Sequence, residues 1–479
     1  MSTKEFVKKI KTGEVDIVEH TYKAIQECKK INKDYNYLNV ISEELAIEQA
    51  NELKKAINNN NKNIKNKKLL GVMISVKDSI CVKGVESTAG SRILKGYKPL
   101  FDATAVKKCK EEGAIIIGKT SQDEFGFGSF SVNVGLGFKV PKNPFDKSRA
   151  CGGSGGGGAG LTAKAEFPHI TMGESTGGSI AEPASFCGVF GLTPTYGRVS
   201  RYGLIDFGNS LDKIGSLGKR AHDAALLLEA MAGFDENEST SIGKPIGEYS
   251  DINPNLNGMK VGIIKEAFRE GIDKKVERKI FEGIRKLEEN GVKTEEISLS
   301  LPIKYGLAAY YLIGTSEAST NLAKYCGMRY GMHEKLEGSF NEYFSNVRSR
   351  HIGQEAKRRI ILGTFARMSG YRDAYYIKAM KVRSKIISEY KKAFKKFDAL
   401  VSPTVPIPPP KFSDIAKLRP LQHYMMDIML VGPNLAGMPH LNVPVGFEEK
   451  LPVGMLLIGD HLEEKKILQL GSMFEKIKK

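Results

Sequence analysis

Apolar and polar positions in the first part of the chain repeat with helical spacing. Ser2 and Glu5 form a capping-box pattern ahead of an apolar pair, which predicts a short helix at the N-terminus. Apolar residues then recur every three or four positions in two segments, Val18–Cys28 and Ala46–Ile57. We expect two amphipathic helices there, followed by a solvated loop in the Asn/Lys-rich stretch Asn58–Lys68.

Continuous apolar runs farther along predict buried strands with helices between them. Leu69–Val76 is such a strand, and it ends at Lys77, whose ammonium group must be solvated or paired. Ala103–Glu112 predicts a helix, and Ala114–Ile117 predicts the strand that follows it.

The second half of the chain continues this alternation. A strand, a helix and a strand at Met259–Ile264, Val276–Leu287 and Val292–Ile297 predict a βαβ unit. Long helices follow between residues 310 and 390, and the remaining predicted strands are Asp398–Val401, Leu441–Val445 and Val453–Ile458. Strands that alternate with helices throughout indicate an α/β fold, with one large mixed β-sheet core surrounded by α-helices.

Length and composition indicate a folded protein without membrane spans. The chain has 479 residues, 41% of them hydrophobic, and no apolar run reaches the ~18 residues that a transmembrane helix needs. No linker follows the Asn/Lys-rich stretch, so we expect residues 1–68 to be an N-terminal segment of the same domain as the catalytic body, residues 69–479. Six scattered cysteines and the absence of a secretory signal favour a cytoplasmic location over a disulfide framework or a zinc site.

The net charge of +17 does not by itself identify a nucleic-acid partner. The lysines are spread along the whole chain, and no RNA-recognition motif is present. A second suggestive pattern, Gly113-x-x-x-x-Gly118-Lys119-Thr120, matches the phosphate-binding loop. That loop needs a strand before its first glycine, whereas this chain has a predicted helix there and a strand between the glycines. We therefore expect no nucleotide site at this position.

The stretch with the most chemical information is Cys151–Pro183. It contains Ser154 and Ser179, each within a run of glycines, on either side of a short apolar segment. Glycines allow close approach of backbone groups, which suits N–H groups gathered around a small reacting group. The alternative is a flexible Gly/Ser linker, but apolar residues continue on both sides of the stretch.

A serine nucleophile needs a base, and this sequence points to a lysine. None of the eight histidines lies in a recognisable triad motif, and G-x-S-x-G is absent around both serines. A lysine acts as a base when burial or neighbouring charge leaves it neutral, and Ser–Lys pairs are a variant of the triad. Lys77 at a strand end supplies such a group.

These residues carry a resemblance to the amidase signature family. The similar segments are GVMISVKDSICVKG around Lys77, GGSGGGG around Ser154 and STGGSIAEPASFCG around Ser179. The resemblance implies a mixed sheet wrapped by helices and a Lys–cis-Ser–Ser triad. Ser179 would form the acyl-enzyme, Ser154 would follow a cis peptide and relay the proton, and Lys77 would be the base. The oxyanion hole would be the backbone N–H groups of Thr176, Gly177, Gly178 and Ser179.

Within this family the chain resembles the A subunits of tRNA-dependent amidotransferases. The segments that carry this resemblance are Thr193–Leu204, Glu317–Gly331, Lys357–Thr364 and Asp427–Pro444. It implies a glutaminase without a metal or cofactor of its own, which passes ammonia to a B subunit that holds ATP and Mg²⁺ and most of the misacylated tRNA, alongside a C subunit. Arg359, or its neighbour Arg358, would bind the glutamine α-carboxylate. Asp427 would bind the α-ammonium group, and Tyr310 would line the site.

The chain departs from the family pattern near both serines. Gly155 follows Ser154 where the family usually has a second serine, and Ser175 and Ala181 stand where it usually has Asp and Arg. We expect the triad to react but to be held less firmly. Two other interpretations stay open: a free-standing amidase that acts on another amide, and a scaffold subunit that has lost catalysis. The sequence favours neither, because the segments after Thr193 resemble the tRNA-dependent enzymes and the three triad residues are present.

Overall fold

The computed structural model of the chain describes residues 2–59, 62–253, 255–269 and 271–476. Its strands, in chain order, are β1 (Leu38–Ile41), β2 (Met73–Lys77), β3 (Ile115–Thr120), β4 (His169–Ser175), β5 (Phe190–Thr193), β6 (Lys213–Gly218), β7 (Lys260–Ile264), β8 (Lys293–Ile297), β9 (Ala399–Pro403), β10 (His440–Glu448) and β11 (Leu451–Gly459).

The α-helices of the same residues are α1 (Thr3–Lys11), α2 (Ile17–Tyr35), α3 (Glu43–Asn58), α4 (Thr104–Glu111), α5 (Gly156–Lys164), α6 (Ala181–Cys187), α7 (Ala221–Met231), α8 (Lys274–Glu289), α9 (Ser300–Asn321), α10 (Phe340–His351), α11 (Gln354–Arg367), α12 (Lys378–Ala393), α13 (Phe412–Ile415), α14 (Pro420–Tyr424), α15 (Val431–Leu435) and α16 (Glu464–Ser472). None of these helices is long and apolar enough to cross a membrane.

The strands form one mixed sheet of eleven in the order β1-β3-β2-β4-β6-β5-β10-β11-β9-β7-β8. Two parallel groups, β3-β2-β4 and β9-β7-β8, are joined through antiparallel strands. Helices cover both faces, and every residue of β2 and β4 is buried. This arrangement confirms the predicted α/β class with a large mixed sheet surrounded by helices.

The N-terminal segment contains the predicted helices. The capping box of Ser2 and Glu5 begins α1, and the two amphipathic segments are α2 and α3. Between those helices lies β1, which the sequence did not predict and which attaches the segment to the edge of the sheet. Within the Asn/Lys-rich stretch a short 3₁₀ helix spans Lys62–Asn66, and residues 60 and 61 lie outside the described residues. The division after residue 68 stays a prediction.

The strand before Lys77 is shorter than its apolar run. The predicted Leu69–Val76 becomes β2, which begins only at Met73. Residues 69–72 form a turn in which Val72 N donates to Leu69 O, and Gly71 adopts a φ of +75° that a strand excludes. The prediction was therefore correct for the strand and wrong for its start.

The lysine of the phosphate-loop pattern is buried in the fold and holds neighbouring backbone in place. Lys119 lies in β3 with no exposed surface, and the three hydrogens of its ammonium group meet three acceptors: Ser87 Oγ at 2.7 Å, the backbone oxygen of Asp78 at 3.3 Å and the backbone oxygen of Ile80. Because its hydrogens are used inside the fold, Lys119 has none left for a phosphate.

Candidate active site

Lys77 and Glu174 meet at the edge of the sheet where two parallel strands end. The register of β2 and β4 pairs Val76 with Met172, and β4 continues beyond the end of β2. Lys77 Nζ donates to the Glu174 Oε2 atom and to the Glu174 backbone oxygen, each at 2.8 Å. The lysine side chain is only 1% exposed, so the carboxylate compensates an ammonium charge that burial alone would disfavour.

Ser154 is the third partner of Lys77. Lys77 Nζ donates to Ser154 Oγ at 2.7 Å, and the peptide bond between Gly153 and Ser154 is cis. The loop before α5 is fixed by a neighbouring segment, because Ser131 Oγ donates to Gly152 O at 2.7 Å and accepts from Gly156 N. The backbone N–H of Asp123 also donates to Ser154 O at 3.1 Å. The Ser154 hydroxyl is therefore held in place against the lysine.

Ser179 lies in the loop between β4 and α6 and is 7% exposed. Its backbone oxygen lies so close to Gly155 that a Cβ atom at position 155 would come within 2.7 Å of it. The structure thus brings the two glycine-framed serines into adjacent loops, and it places Lys77 in contact with the first of them. The absence of a side chain at position 155 is what this close approach requires.

The two glycines before Ser179 are packed tightly. A Cβ atom at Gly177 would lie 2.6 Å from the Tyr310 hydroxyl, and one at Gly178 would lie 3.2 Å from Asp427 Oδ1. Asn434 Nδ2 donates to the Gly177 backbone oxygen, which fixes the loop from the other side. Tyr310 and Asp427 therefore border the same backbone segment that the sequence assigned to the oxyanion hole.

Thr176 connects the loop to two acidic residues. Its hydroxyl lies 2.9 Å from Glu174 Oε1 and 2.7 Å from Asp212 Oδ1. Asp212 also accepts hydrogen bonds from the backbone N–H groups of Phe207 and Gly208. Burial raises the pKa of Asp212 well above its usual range, and the nearby charge of Glu174 raises it further.

Arg359 is held at the centre of an aromatic cage. Its guanidinium carbon lies 5.0–5.8 Å from the ring centroids of four aromatic residues, Phe127, Phe207, Tyr311 and Tyr424. Its Nε donates to Glu355 Oε1 at 2.9 Å, and its side chain is 3% exposed. The neighbouring Arg358 is 37% exposed. Both arginines bond to Glu355, but of the two that were left open Arg359 is the one that is buried among aromatic rings.

Asp427 faces the same region as Arg359. Its Oδ2 atom accepts from the Tyr311 hydroxyl at 2.8 Å and from Ser129 Oγ at 3.4 Å. Ser129, Arg358 and Arg359 line a cavity of about 260 Å³. The acidic group in the wall of this cavity is Glu355, which is paired with both arginines, and Asp427 lies behind Ser129. A small polar cavity with two arginines fits a small anionic or zwitterionic ligand better than a large apolar one.

Glu182 adds a buried carboxyl group beside Asp427. It follows the Ser179 loop in α6 and has no exposed surface. Burial, and after it the charges of Asp427 and Asp123, raise the pKa of Glu182 well above its usual range. Burial raises the pKa of Asp427 as well, whereas the hydrogen bond from Tyr311 and the charge of Arg359 lower it, so of these two buried carboxyls Asp427 is the one with partners that favour its charged form.

Several partners of the predicted residues were not predictable from local sequence patterns, and others were. Glu355 was detectable, because it precedes Arg359 by four positions on a predicted helix. Glu174 was detectable only as a charged residue that ends an otherwise apolar strand. Ser129, Tyr311 and Asn434 come from distant parts of the chain, and no local pattern marks them.

Other features of the surface do not coincide with these residues. A larger cavity of about 1010 Å³ lies beside β1, and its lining includes Lys33, Arg92 and Lys139 but none of the predicted site residues. Among the described residues, no group of three or more His, Cys, Asp or Glu side chains is arranged to hold a metal ion.

Comparisons with known proteins point to one family. The Amidase family matches residues 19–468 of the chain. A glutamyl-tRNA(Gln) amidotransferase A subunit of Clostridium acetobutylicum is 41% identical over 467 residues, 97% of this chain and 95% of that protein. The corresponding A subunit of Alkaliphilus metalliredigens is 47% identical over 402 residues, 83% and 81% of the two chains. The crystal structure of the Thermotoga maritima glutamyl-tRNA(Gln) amidotransferase A subunit superposes with a TM-score of 0.78 at 33% identity, covering 96% of this chain and 92% of that one.

Proposed function

The chain belongs to the amidase family, and we propose that it is the glutamine-hydrolysing subunit of a tRNA-dependent amidotransferase. The observation that carries this proposal is the 2.7 Å contact between Lys77 Nζ and Ser154 Oγ, buried beside the loop of Ser179. A base, a relay hydroxyl and a second hydroxyl in adjacent loops fit amide hydrolysis through a serine acyl-enzyme. The similarity to amidotransferase A subunits over nearly the whole chain supports glutamine as the amide.

In this mechanism Ser179 attacks the side-chain carboxamide of glutamine. Ser154 takes the proton of Ser179 and passes one to Lys77, the final acceptor. The backbone N–H groups of Thr176, Gly177, Gly178 and Ser179 stabilise the oxyanion. Protonation of the leaving group releases ammonia, and water then hydrolyses the γ-glutamyl ester to glutamate.

The charged residues around the cavity orient the substrate. Arg359, fixed by Glu355 and the aromatic cage, pairs with the α-carboxylate, and Arg358 lies next to it at the cavity wall. Asp427 pairs with the α-ammonium group, and Tyr310 lines the site on the side of Gly177. Because both ends of the amino acid are bound by charge, a longer or shorter side chain would move the carboxamide away from Ser179.

The ammonia is used by partner subunits. We assign the amidation of Glu-tRNA(Gln), or of Asp-tRNA(Asn), to a B subunit that holds ATP and Mg²⁺ and most of the tRNA, with a C subunit completing the assembly in the cytoplasm. The names of the curated relatives, which are subunits of a glutamyl-tRNA(Gln) amidotransferase, support this assignment.

The test is glutamate release from glutamine by the purified chain, alone and with its B and C partners, tRNA and ATP. We expect release to rise when the partners are present and to fall by at least about 10³-fold in Ser179→Ala. Ser349→Ala, which removes an exposed hydroxyl of α10, is the matched control and should keep full activity. Absence of release from the complete assembly would contradict the proposal and favour the scaffold interpretation. Full activity without partners, on another amide, would favour a free-standing amidase.

A further inference from the structure

Lys77, the candidate base, is almost completely shielded from solvent. The side chains of Lys77 and Glu174 are 1% and 4% exposed, and Ser154 has no exposed surface. Under the proposed function, one amide and one water give one carboxylate, one ammonia and one proton. If ammonia leaves uncharged for a partner subunit, that proton remains in the buried site and reaches Lys77. It must leave before the next turnover by a route other than that of the ammonia.

A continuous line of hydrogen-bonding groups begins at Lys77. Its ammonium group lies 2.8 Å from Glu174 Oε2. The other carboxylate oxygen, Glu174 Oε1, lies 2.9 Å from the Thr176 hydroxyl, which in turn lies 2.7 Å from Asp212 Oδ1. Amine, carboxyl, hydroxyl and carboxyl thus follow one another at hydrogen-bond distance without a gap.

The arrangement requires an extra proton on one of the two carboxyls. The Thr176 hydroxyl has a single hydrogen and lies between two acceptors, so one carboxyl must donate to it. Asp212 fits this role, because burial and the charge of Glu174 favour its neutral form. Beyond Thr176 and the backbone, charged or titratable groups near Glu174 and Asp212 include Lys77, Arg201 and Tyr310, and Glu317 lies on the other side of Gly208. At rest, Asp212 donates to Thr176, Thr176 donates to Glu174, and Glu174 accepts from Lys77.

The line ends at a second opening to solvent. Asp212 lines a cavity of about 490 Å³ together with Arg201, Asn209, Glu238 and Ser239. Asn209 and Ser239 are exposed, so the cavity opens at the surface. It shares no lining residue with the cavity of Arg359 and Ser129. A proton that reaches Asp212 therefore has an exit whose wall contains neither Arg359 nor Ser129.

We propose that Glu174, Thr176 and Asp212 conduct one proton per turnover from Lys77 to this second cavity, so that ammonia leaves the site uncharged. This inference rests on the proposed function. In each transfer Asp212 first turns its hydroxyl to the cavity and releases the proton to water, and the Thr176 hydroxyl then turns toward the Asp212 carboxylate. Glu174 takes a proton from Lys77, rotates its carboxyl group and donates to Thr176, which passes its own proton to Asp212 and so restores the resting arrangement. One bond to hydrogen forms and one breaks at each group between the ends. Lys77 is left as a neutral amine, ready to accept the proton of Ser154, and Glu174, Thr176 and Asp212 act as positioning residues.

The matched pair Thr176→Val and Thr176→Ser tests the path in the assembled complex. Valine keeps the shape of threonine but removes the hydroxyl, whereas serine keeps it, and neither changes the backbone N–H of the oxyanion hole. We expect kcat for glutamate release to fall about 10- to 100-fold in Thr176→Val, with KM within about twofold, and Thr176→Ser to recover most of that loss because it restores the hydroxyl. Equal kcat values in the two variants would overturn the proposal.

Asp212→Asn gives a readout that a purely structural role would not move. We expect a similar loss of kcat, a larger solvent deuterium isotope effect than in the wild type, and partial recovery when imidazole is added as a proton acceptor small enough for the cavity. A loss of kcat that neither imidazole nor deuterium affects would overturn the path. If Asp212→Asn does not fold, the comparison of Thr176→Val with Thr176→Ser tests the path instead. A wild-type complex without Ser179-dependent glutamate release would contradict the proposed function instead. The variants would then be compared on p-nitrophenyl acetate, whose hydrolysis also leaves a proton in the site. Equal kcat values in Thr176→Val and Thr176→Ser, or a loss in Asp212→Asn that neither imidazole nor deuterium affects, would again overturn the path.

Discussion

At the scale of single residues, Lys77 uses its full hydrogen-bonding capacity inside the protein. Its three ammonium hydrogens meet three acceptors: Ser154 Oγ, the Glu174 backbone oxygen and the Glu174 carboxylate. Removing one partner of a buried ion pair usually costs about 3–5 kcal/mol, because the other charge is left uncompensated. Glu174 thus fixes the direction of the lysine toward Ser154 and supplies the group that takes its proton.

The residues that replace the family's usual Asp and Arg offer a test of how firmly the loop is held. Ser175 Oγ is buried without a hydrogen-bond partner, and Ala181 has no exposed surface. We expect Ser175→Asp combined with Ala181→Arg to raise kcat about fivefold, because a hydrogen-bonded ion pair between these buried positions would orient the loop of Ser179. The neutral pair Ser175→Asn with Ala181→Met is the control of similar volume. Unchanged or lower kcat in the charged pair, measured as glutamate release by a folded complex, would contradict this idea.

The site could be predicted from the sequence where a residue carries its own chemical signal. Lys77 at a strand end and the two serines among glycines carry such a signal. Glu174 was passed over, since an acidic residue within an apolar strand has no meaning until the neighbouring strand is placed beside it. The same limit applies to Ser129 and Asp212, which become partners of the site only through the order of strands in the sheet.

At the scale of elements, the glycine-rich segment Gly152–Gly160 forms both the loop of Ser154 and the first turns of α5. Four of its glycines lie in α5, and each is too close to a neighbour for a side chain. A Cβ atom at Gly160 would lie 2.2 Å from the Tyr37 ring, and one at Gly158 would lie 2.5 Å from Thr171 Cγ2. The helix therefore lies close against β4, which carries Glu174 at its other end. Close packing of α5 sets the position of the Ser154 loop.

Gly160→Ala tests this packing. The added methyl group must displace the buried Tyr37 ring, so we expect the free energy of unfolding to fall by about 1–3 kcal/mol despite the better helix propensity of alanine. Denaturant unfolding measures the change. Gly243→Ala is the control, because its Cβ would meet its nearest atom at 4.0 Å. A Gly160→Ala variant as stable as the wild type would mean that α5 is free to move away from Tyr37.

Helices and strands whose apolar residues repeat with a clear period were predictable, and the others were not. The amphipathic helix α8 and its flanking strands β7 and β8 follow the predicted βαβ unit. In contrast, β6 and α7 are buried almost throughout and show neither alternation nor a polar face. The strand β1 has only four residues and is defined by its pairing with β3.

At the scale of the whole molecule, one sheet brings together residues from most of the chain. The candidate triad comes from the β2 end, the α5 loop and the β4–α6 loop, whereas Arg359 and Asp427 come from the helical half. The similarity to amidotransferase A subunits extends over the same length. We infer that the substrate is recognised by the helical half and cleaved by residues at the end of the parallel strands.

The proposed mechanism depends most directly on Ser179 being the residue that receives the acyl group. The decisive measurement is to mix the assembled complex with glutamine, quench it with acid within one turnover, and map the digest by mass spectrometry. We predict a γ-glutamyl ester on the peptide that contains Ser179, released by hydroxylamine as the hydroxamate and absent in Ser179→Ala. A γ-glutamyl group on another residue, such as Cys151 or Ser154, or continued turnover in Ser179→Ala, would contradict it.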